Sequence, residues 1–253
     1  MKSNIEGSIP LDRRCTMLKY DEAGIWFIDK ADGVLSHPNK ESKKGKTART
    51  ILNAEYFFDE ECYRWENSLG ELQNIYLTHR LDSPTSGIMV ACDNYQVSVH
   101  LKKLFKERLV KKTYYALVRP RGRIKDGIWK DNLKESRENG RIRVSRGNGP
   151  EAVTRVFTER KSSGKYGLAM LRMEPLTGRT HQLRVQCALR GIPIIGDKSY
   201  GDFSYNRKLS RASKTDRLCL HAAEIEFELK TNNSNKQISS ESPLPRAMGK
   251  LMM

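Results

Sequence analysis

The residues with the strongest claim to chemistry lie in THRLDSPTSG, residues 78–87, where a histidine, an arginine, an aspartate, a proline and a glycine fall between two apolar runs. A bend needs only Pro84 and Gly87, because proline fixes φ and glycine tolerates φ > 0, so His79, Arg80 and Asp82 exceed what a turn requires. An aspartate beside a fixed cation can serve as a nucleophile when it is ionised and held in place. An aspartate ahead of Ser-Pro can equally cap its own turn, and the residues alone leave both readings open. Two more polar knots have the same character: TGRTHQLR, 177–184, at a helix start, and LCLHAAE, 218–224, entering a strand.

What the sequence omits narrows the chemistry. There is no G-x-x-x-x-G-K-[ST] phosphate loop, no G-x-G-x-x-G fingerprint, no H-E-x-x-H and no H-x-E with P-C-x-x-C, so the usual cofactor and metal signatures are missing. The five cysteines, Cys15, Cys62, Cys92, Cys187 and Cys219, are odd in number and form no C-x-x-C pair. That argues against a disulfide framework and a zinc site, and for reduced, mostly buried thiols. We expect no cofactor and no metal.

Charge points to a partner. Lys and Arg number 46 against 30 Asp and Glu, a net charge of +16 with a pI near 9.7, in the range of nucleic-acid binders. The basic residues cluster at 39–50, 102–112, 119–125 and 134–146. One such cluster is an ordinary solvated face, whereas four in one chain favour a polyanion, RNA or DNA. No apolar run reaches the length of a membrane span, and MKSNIEGSIPLDRRC lacks the apolar stretch of a signal peptide, so the chain reads as cytoplasmic, with no membrane and no protein partner implied.

The elements that must position these residues follow from periodicity. GIWFIDK (24–30), GIMVAC (87–92), TYYALV (113–118) and GLAMLRM (167–173) read as strands. In LHAAEIEFEL, Ala223, Ile225, Phe227 and Leu229 alternate with Glu224, Glu226 and Glu228, the pattern of a strand with one wet face. YQVSVHLKKLFKERLV reads as a helix with an apolar stripe at Val97, Leu101, Leu104, Phe105 and Leu109 behind an Asp93-Asn94 cap. THQLRVQCALRG reads as a second, capped by Thr180 and closed by Gly191. The polar stretch 230–242 reads as a loop. Strands outnumber helices without alternating with them, so the expected class is α+β.

HRLDSPTSGIMVA resembles the H-R-L-D-x-x-T-S-G motif around the nucleophilic aspartate of the RluA-type pseudouridine synthases. IDKADGVLSHP is similar to that family's first motif, VKKTYYALV to its K-x-Y-x-A-L-V strand, and PLTGRTHQLRVQCALRGIPIIGDKSYG to its third motif. RLCLHAAEIEF and SPLP continue the pattern in the same order, so the resemblance runs from about Ile25 to the C-terminus. It implies the pseudouridine synthase fold: a mixed, largely antiparallel sheet with flanking helices and a central catalytic cleft. The catalytic domain is expected over 16–253 behind a short extension, 1–15, with no separate S4-type domain.

The same resemblance implies the site. Asp82 would be the nucleophile, Tyr114 would lie against the flipped uracil, and Arg184 would pair with Asp82. Leu183 would form the apolar floor beneath the base, Arg80 would help hold the RNA, and Arg179 and His181 would serve phosphates or the loop. The partner is RNA, tRNA or rRNA, acted on by a monomer, with a lean toward the tRNA-acting, TruC-like branch. Departures from the family pattern are Ala31 for a proline, RVQC for R-V-H-L and KTNNSNKQ in place of a hairpin turn; none touches Asp82, Tyr114 or Arg184. A non-catalytic RNA-binding or remodelling protein on the same fold is the alternative, and a DNA-binding regulator lacks a helix-turn-helix or finger signature.

Overall fold

The computed structural model describes residues 9–38, 49–138, 141–230 and 235–253. Most of the basic stretch 39–50 lies outside them. The chain divides into two compact units, one of residues 1–110 with 224–242, the other of 111–223 with 243–253.

The first unit is built outward from β6 (Ser86–Cys92), every residue of which is buried. Its apolar run Ile88 to Cys92 can be buried on both faces, as a central strand requires. β2 (Ile25–Lys30) lies antiparallel to it, from Ile25 opposite Cys92 to Lys30 opposite Gly87, and β1 (Thr16–Asp21) lies outside β2. On the other side come β5 (Leu72–Leu77), β4 (Cys62–Glu66) and β3 (Glu55–Phe57), each antiparallel to its neighbour. The helix α1 (Tyr95–Lys106) starts at Asn94, whose side chain accepts from the Val97 amide. It packs Leu101 and Leu104 against Ile25, Phe27, Ile88 and Val90. The expected stripe overreaches at Leu109, which is exposed, because Arg108 turns left-handed at φ 63° just past the helix.

The second unit is an antiparallel arrangement of β7 (Lys111–Val118), β10 (Ala169–Pro175), β9 (Arg141–Lys161) and β8 (Gly127–Glu138). The helix α2 (Gln182–Leu189) buries Leu183 and Cys187 in its core with α3 (Phe203–Ser213) and residues of Arg246–Leu251, here α4. β11 (Leu220–Lys230) begins in this unit and ends in the first, with Ala223, Ile225, Phe227 and Leu229 buried as the alternation predicts. The polar stretch 230–242 is not all loop: Asn235–Glu241 forms β12 against β11, burying Ile238 and Ser240. The class is α+β, as expected.

Candidate active site

Asp82 sits in the turn between β5 and β6, and its surroundings are set through the backbone. At the start of the turn the Thr78 hydroxyl donates to the Val90 carbonyl at 2.6 Å. The Val90 amide in turn donates to His79 Nε2 at 2.9 Å, and the His79 ring stacks on Phe105. His79 is thereby committed to holding the turn against β6.

Closer to Asp82, both flanking residues are pinned. Ser36 Oγ accepts from the Leu81 amide at 3.1 Å and donates to the Leu81 carbonyl at 3.0 Å. The Ser83 carbonyl accepts from Lys30 Nζ at 3.0 Å and from the Gly33 amide at 2.8 Å. Lys30 has no exposed surface, and its ammonium also donates to the carbonyls of Ala31 and Val34. A charge taken out of water is tolerable only with such partners. The Thr85 amide closes the turn onto the Asp82 carbonyl at 3.0 Å. Asp82 itself is half-buried.

Arg80 is exposed, and its Nη1 donates to His37 Nε2 at 3.0 Å. His37 Nδ1 lies 2.8 Å from the Pro38 carbonyl, so the neutral ring carries its proton on Nδ1 and accepts from Arg80. The ring stacks on Tyr56, whose hydroxyl is pushed up to about 12 by burial.

The other candidates lie in the second unit. Tyr114 is half-buried on β7 opposite Met173 and packs against the core. Arg184 is buried on α2, and its Nε and Nη2 donate to the two oxygens of Asp197 at 2.8 and 2.9 Å. Its guanidinium lies 5.2 Å from the centre of the Tyr200 ring. Burial raises the Asp197 carboxyl, but the Arg184 contact and the amides of Ser199 and Tyr200 outweigh it and hold the group below the usual carboxylate range.

α2 does not start at a Thr180 cap. His181 takes the cap position in the left-handed region, φ 53°, with no capping side chain of its own. Gln182 does that work from inside: its Oε1 accepts from the Arg179 amide and the Thr177 hydroxyl, and its Nε2 donates to the Val153 carbonyl and to Thr154. One turn on, Gln186 bonds Thr154 and the Ala152 carbonyl and donates to Asp131. Asp131 also receives Arg146 and Arg190, both at 2.8 Å. Burial raises the Asp131 carboxyl too, and those hydrogen bonds lower it by more. The helix end matches expectation, with Gly191 at φ 70°.

Of the remaining candidates, Leu183 is buried in the core of its unit, Arg179 donates to the Glu151 carbonyl, and His181 Nδ1 meets the Tyr200 hydroxyl at 2.7 Å. Residues 24–189 match the family model described as RNA pseudouridylate synthase. The chain belongs to the RNA pseudouridylate synthase family. Members of the family are isomerases that convert uridine to pseudouridine in RNA. An uncharacterized RNA pseudouridine synthase of Haemophilus influenzae is 29% identical over 84% of this chain and 82% of its own length. The ribosomal large subunit pseudouridine synthase C of Vibrio parahaemolyticus is 35% identical over 68% of this chain. The tRNA pseudouridine synthase C of Pectobacterium carotovorum is 30% identical over 89%. The chain spans 54% and 60% of the length of those last two. In fold it is similar to human RNA pseudouridylate synthase domain containing 1, with a TM-score of 0.61 at 21% identity over 92% of this chain and 86% of that one.

Three residues that hold these candidates in their own units are not marked out by the sequence. Lys30 and Ser36 lie inside the quoted first motif, where a lysine ending an apolar strand was the available signal. Asp197 lies in GIPIIGDKSYG with nothing local to mark it as a partner of Arg184.

Proposed function

We propose that this chain converts particular uridines of structured RNA to pseudouridine, with Asp82 as the nucleophile, Tyr114 against the uracil and Arg184 pairing with Asp82. The observation that carries the reading is the fixation of both residues flanking Asp82 by Lys30 and Ser36. A turn serving only as a bend has no use for a buried ammonium, whereas a nucleophile gains from a rigid support. In the reaction the bond from C1′ to N1 breaks, the base turns, C1′ bonds to C5, C5 loses its proton, and N1 takes up a proton in its place. Atoms and electrons balance without an outside group.

A uridine paired inside RNA is out of reach of a turn carboxylate, so the nucleotide is flipped out at a cost of a few kcal/mol, offset by contacts to the backbone and bases. The net charge of +16 supplies attraction to that backbone. Both tRNA and rRNA are among the substrates named for relatives, and the lean toward tRNA rests on the stretch YGLAMLRMEPLTGRTHQLR together with GIPIIGD.

The test uses RNA carrying tritium at uracil C5, whose release reports the new carbon-carbon bond. The parent releases tritium from cellular RNA and Asp82→Asn, folded and binding RNA within several-fold of the parent, releases none. The amide is nearly isosteric but lacks the charge a nucleophile needs. A folded Asp82→Asn variant releasing tritium at the parent rate removes Asp82 from the chemistry. A parent inert on every cellular RNA favours the binding-protein reading.

A further inference from the structure

Arg184 is not held by α2 alone. The turn after the helix, GDKSYG, 196–201, brings Asp197 under the Nε–Nη2 edge of the guanidinium and Tyr200 alongside it. Asp197 is itself fixed, since its Oδ1 accepts from the amides of Ser199 and Tyr200 at 2.8 and 3.0 Å. Tyr200 is fixed as well. The Val144 amide donates to its hydroxyl at 3.0 Å, and the same oxygen is hydrogen-bonded to His181 Nδ1 at 2.7 Å. The Arg143 guanidinium donates to the Ser199 carbonyl, tying the same turn to β9.

A two-point fork to a carboxylate fixes both the position and the plane of a guanidinium, which a single hydrogen bond does not. The side chains of the pair are 5% and 0% exposed, so water does not compete for either. A structural ion pair could satisfy buried charge anywhere in the unit. This one lies on the residue assigned to meet the nucleophile.

We propose that Asp197 is a positioning residue for catalysis: by holding the Nε–Nη2 edge of Arg184, it fixes the position and plane of the guanidinium that the reading above assigns to the nucleophile. The inference rests on the reading of Arg184 given above. Tyr200 supports the same placement from the ring face, and His181 acts through Tyr200 in addition to any contact with RNA. A displacement of about 1 Å in such an arrangement is enough to cost about 100-fold in rate.

Two substitutions separate placement from mere charge satisfaction. Asp197→Asn keeps an oxygen for the turn amides but removes the charge, and Asp197→Glu keeps the charge but moves the carboxylate by one methylene. Both should lower kcat by about 100-fold while KM stays within about threefold of the parent, measured by tritium release at a temperature where circular dichroism shows the folded state. Leu209→Ala, a cavity in the core of the same unit that also lowers Tm, should keep the parent kcat per folded molecule. Arg184→Lys isolates the premise. If Arg184→Lys is inactive and a folded Asp197→Glu turns over at the parent rate, the positioning role is wrong and the reading of Arg184 stands. If Arg184→Lys turns over at the parent rate, both fall.

Discussion

The turn around Asp82 and the helix carrying Arg184 are fastened in opposite ways. The turn is held through main-chain groups: one buried ammonium on three carbonyls, one hydroxyl on both polar groups of the Leu81 backbone, and an amide closing onto Asp82. The helix is held through side chains, with Arg184 on Asp197, and Gln186, Arg190 and Arg146 on Asp131. The difference separates chemistry from stability to different degrees. Backbone fastening lets the side chain at 82 be chosen for reaction. Side-chain fastening makes Arg184 part of the unit's own structure.

Stability measurements on paired variants test that contrast, and the largest effect belongs to Arg184. Arg184→Met strands the Asp197 carboxylate in a buried site, and such losses cost about 3–5 kcal/mol. Asp82→Asn, in a turn held by other residues, should cost under about 1 kcal/mol. Denaturant titration of the two variants reads this directly, and equal losses would mean that the turn depends on its side chain after all.

Lys30→Met comes next. It leaves the carbonyls of Ala31, Val34 and Ser83 without their ammonium, and each stranded buried acceptor costs about 1–3 kcal/mol, partly relieved by relaxation. A total near 3 kcal/mol is expected, with turnover lost even in the folded fraction because the Asp82 turn is no longer fixed. Turnover per folded molecule equal to the parent's would show that the support is only structural.

Acid separates the two regions by their charges. The Asp197 and Asp131 carboxyls are held below their ordinary values, so their stabilising contribution is fully present above the unfolded carboxylate pKa, about 3.9, and is lost as pH falls through the lower folded values. Neutral solution is therefore on the stable side. The parent should lose stability on acidification below about pH 4, and Asp197→Asn and Asp131→Asn should start lower and lose less. A variant with the parent's full acid slope would show that the removed carboxyl is not one of the groups responsible.

How much of this could be read in the sequence depended on how local each signal is. The strand at 220–230 was legible because apolar and glutamate residues alternate, and the cap of α1 because Asn94 acts on an amide three residues on. The Asp82 motif was legible as a resemblance. The β8–β9 hairpin was not, although Trp129 and Leu133 alternate with exposed Lys130, Asn132 and Lys134. The buried position between them is Asp131, which breaks an apolar pattern and becomes intelligible only once Arg146, Arg190 and Gln186 surround it. Asp197 is 13 residues from Arg184, across a helix end and a turn. Its role therefore depends on tertiary placement that spacing alone does not encode. Thr180 carried the composition of a cap, but Gln182 already satisfies the amide of Arg179, and His181 takes the cap position.

The smallest effect expected is also the most discriminating for the turn. Ser36→Ala removes one hydroxyl that both accepts from the Leu81 amide and donates to its carbonyl. It leaves Lys30, Gly33 and the Thr85 closure in place. One side of Asp82 is loosened while the other stays pinned. The stability cost should be about 1–2 kcal/mol, the scale of one stranded buried group. If rigidity of the turn serves the reaction, kcat should fall by about tenfold with RNA affinity unchanged, because a looser carboxylate spends less time in the reactive geometry without altering how RNA is bound. Ser36→Thr, which keeps the hydroxyl, should recover most of the rate if the added methyl is accommodated beside Met89. A Ser36→Ala variant that loses stability as expected yet keeps the parent kcat would show that pinning Leu81 serves folding only, and that Lys30 alone sets the position of Asp82.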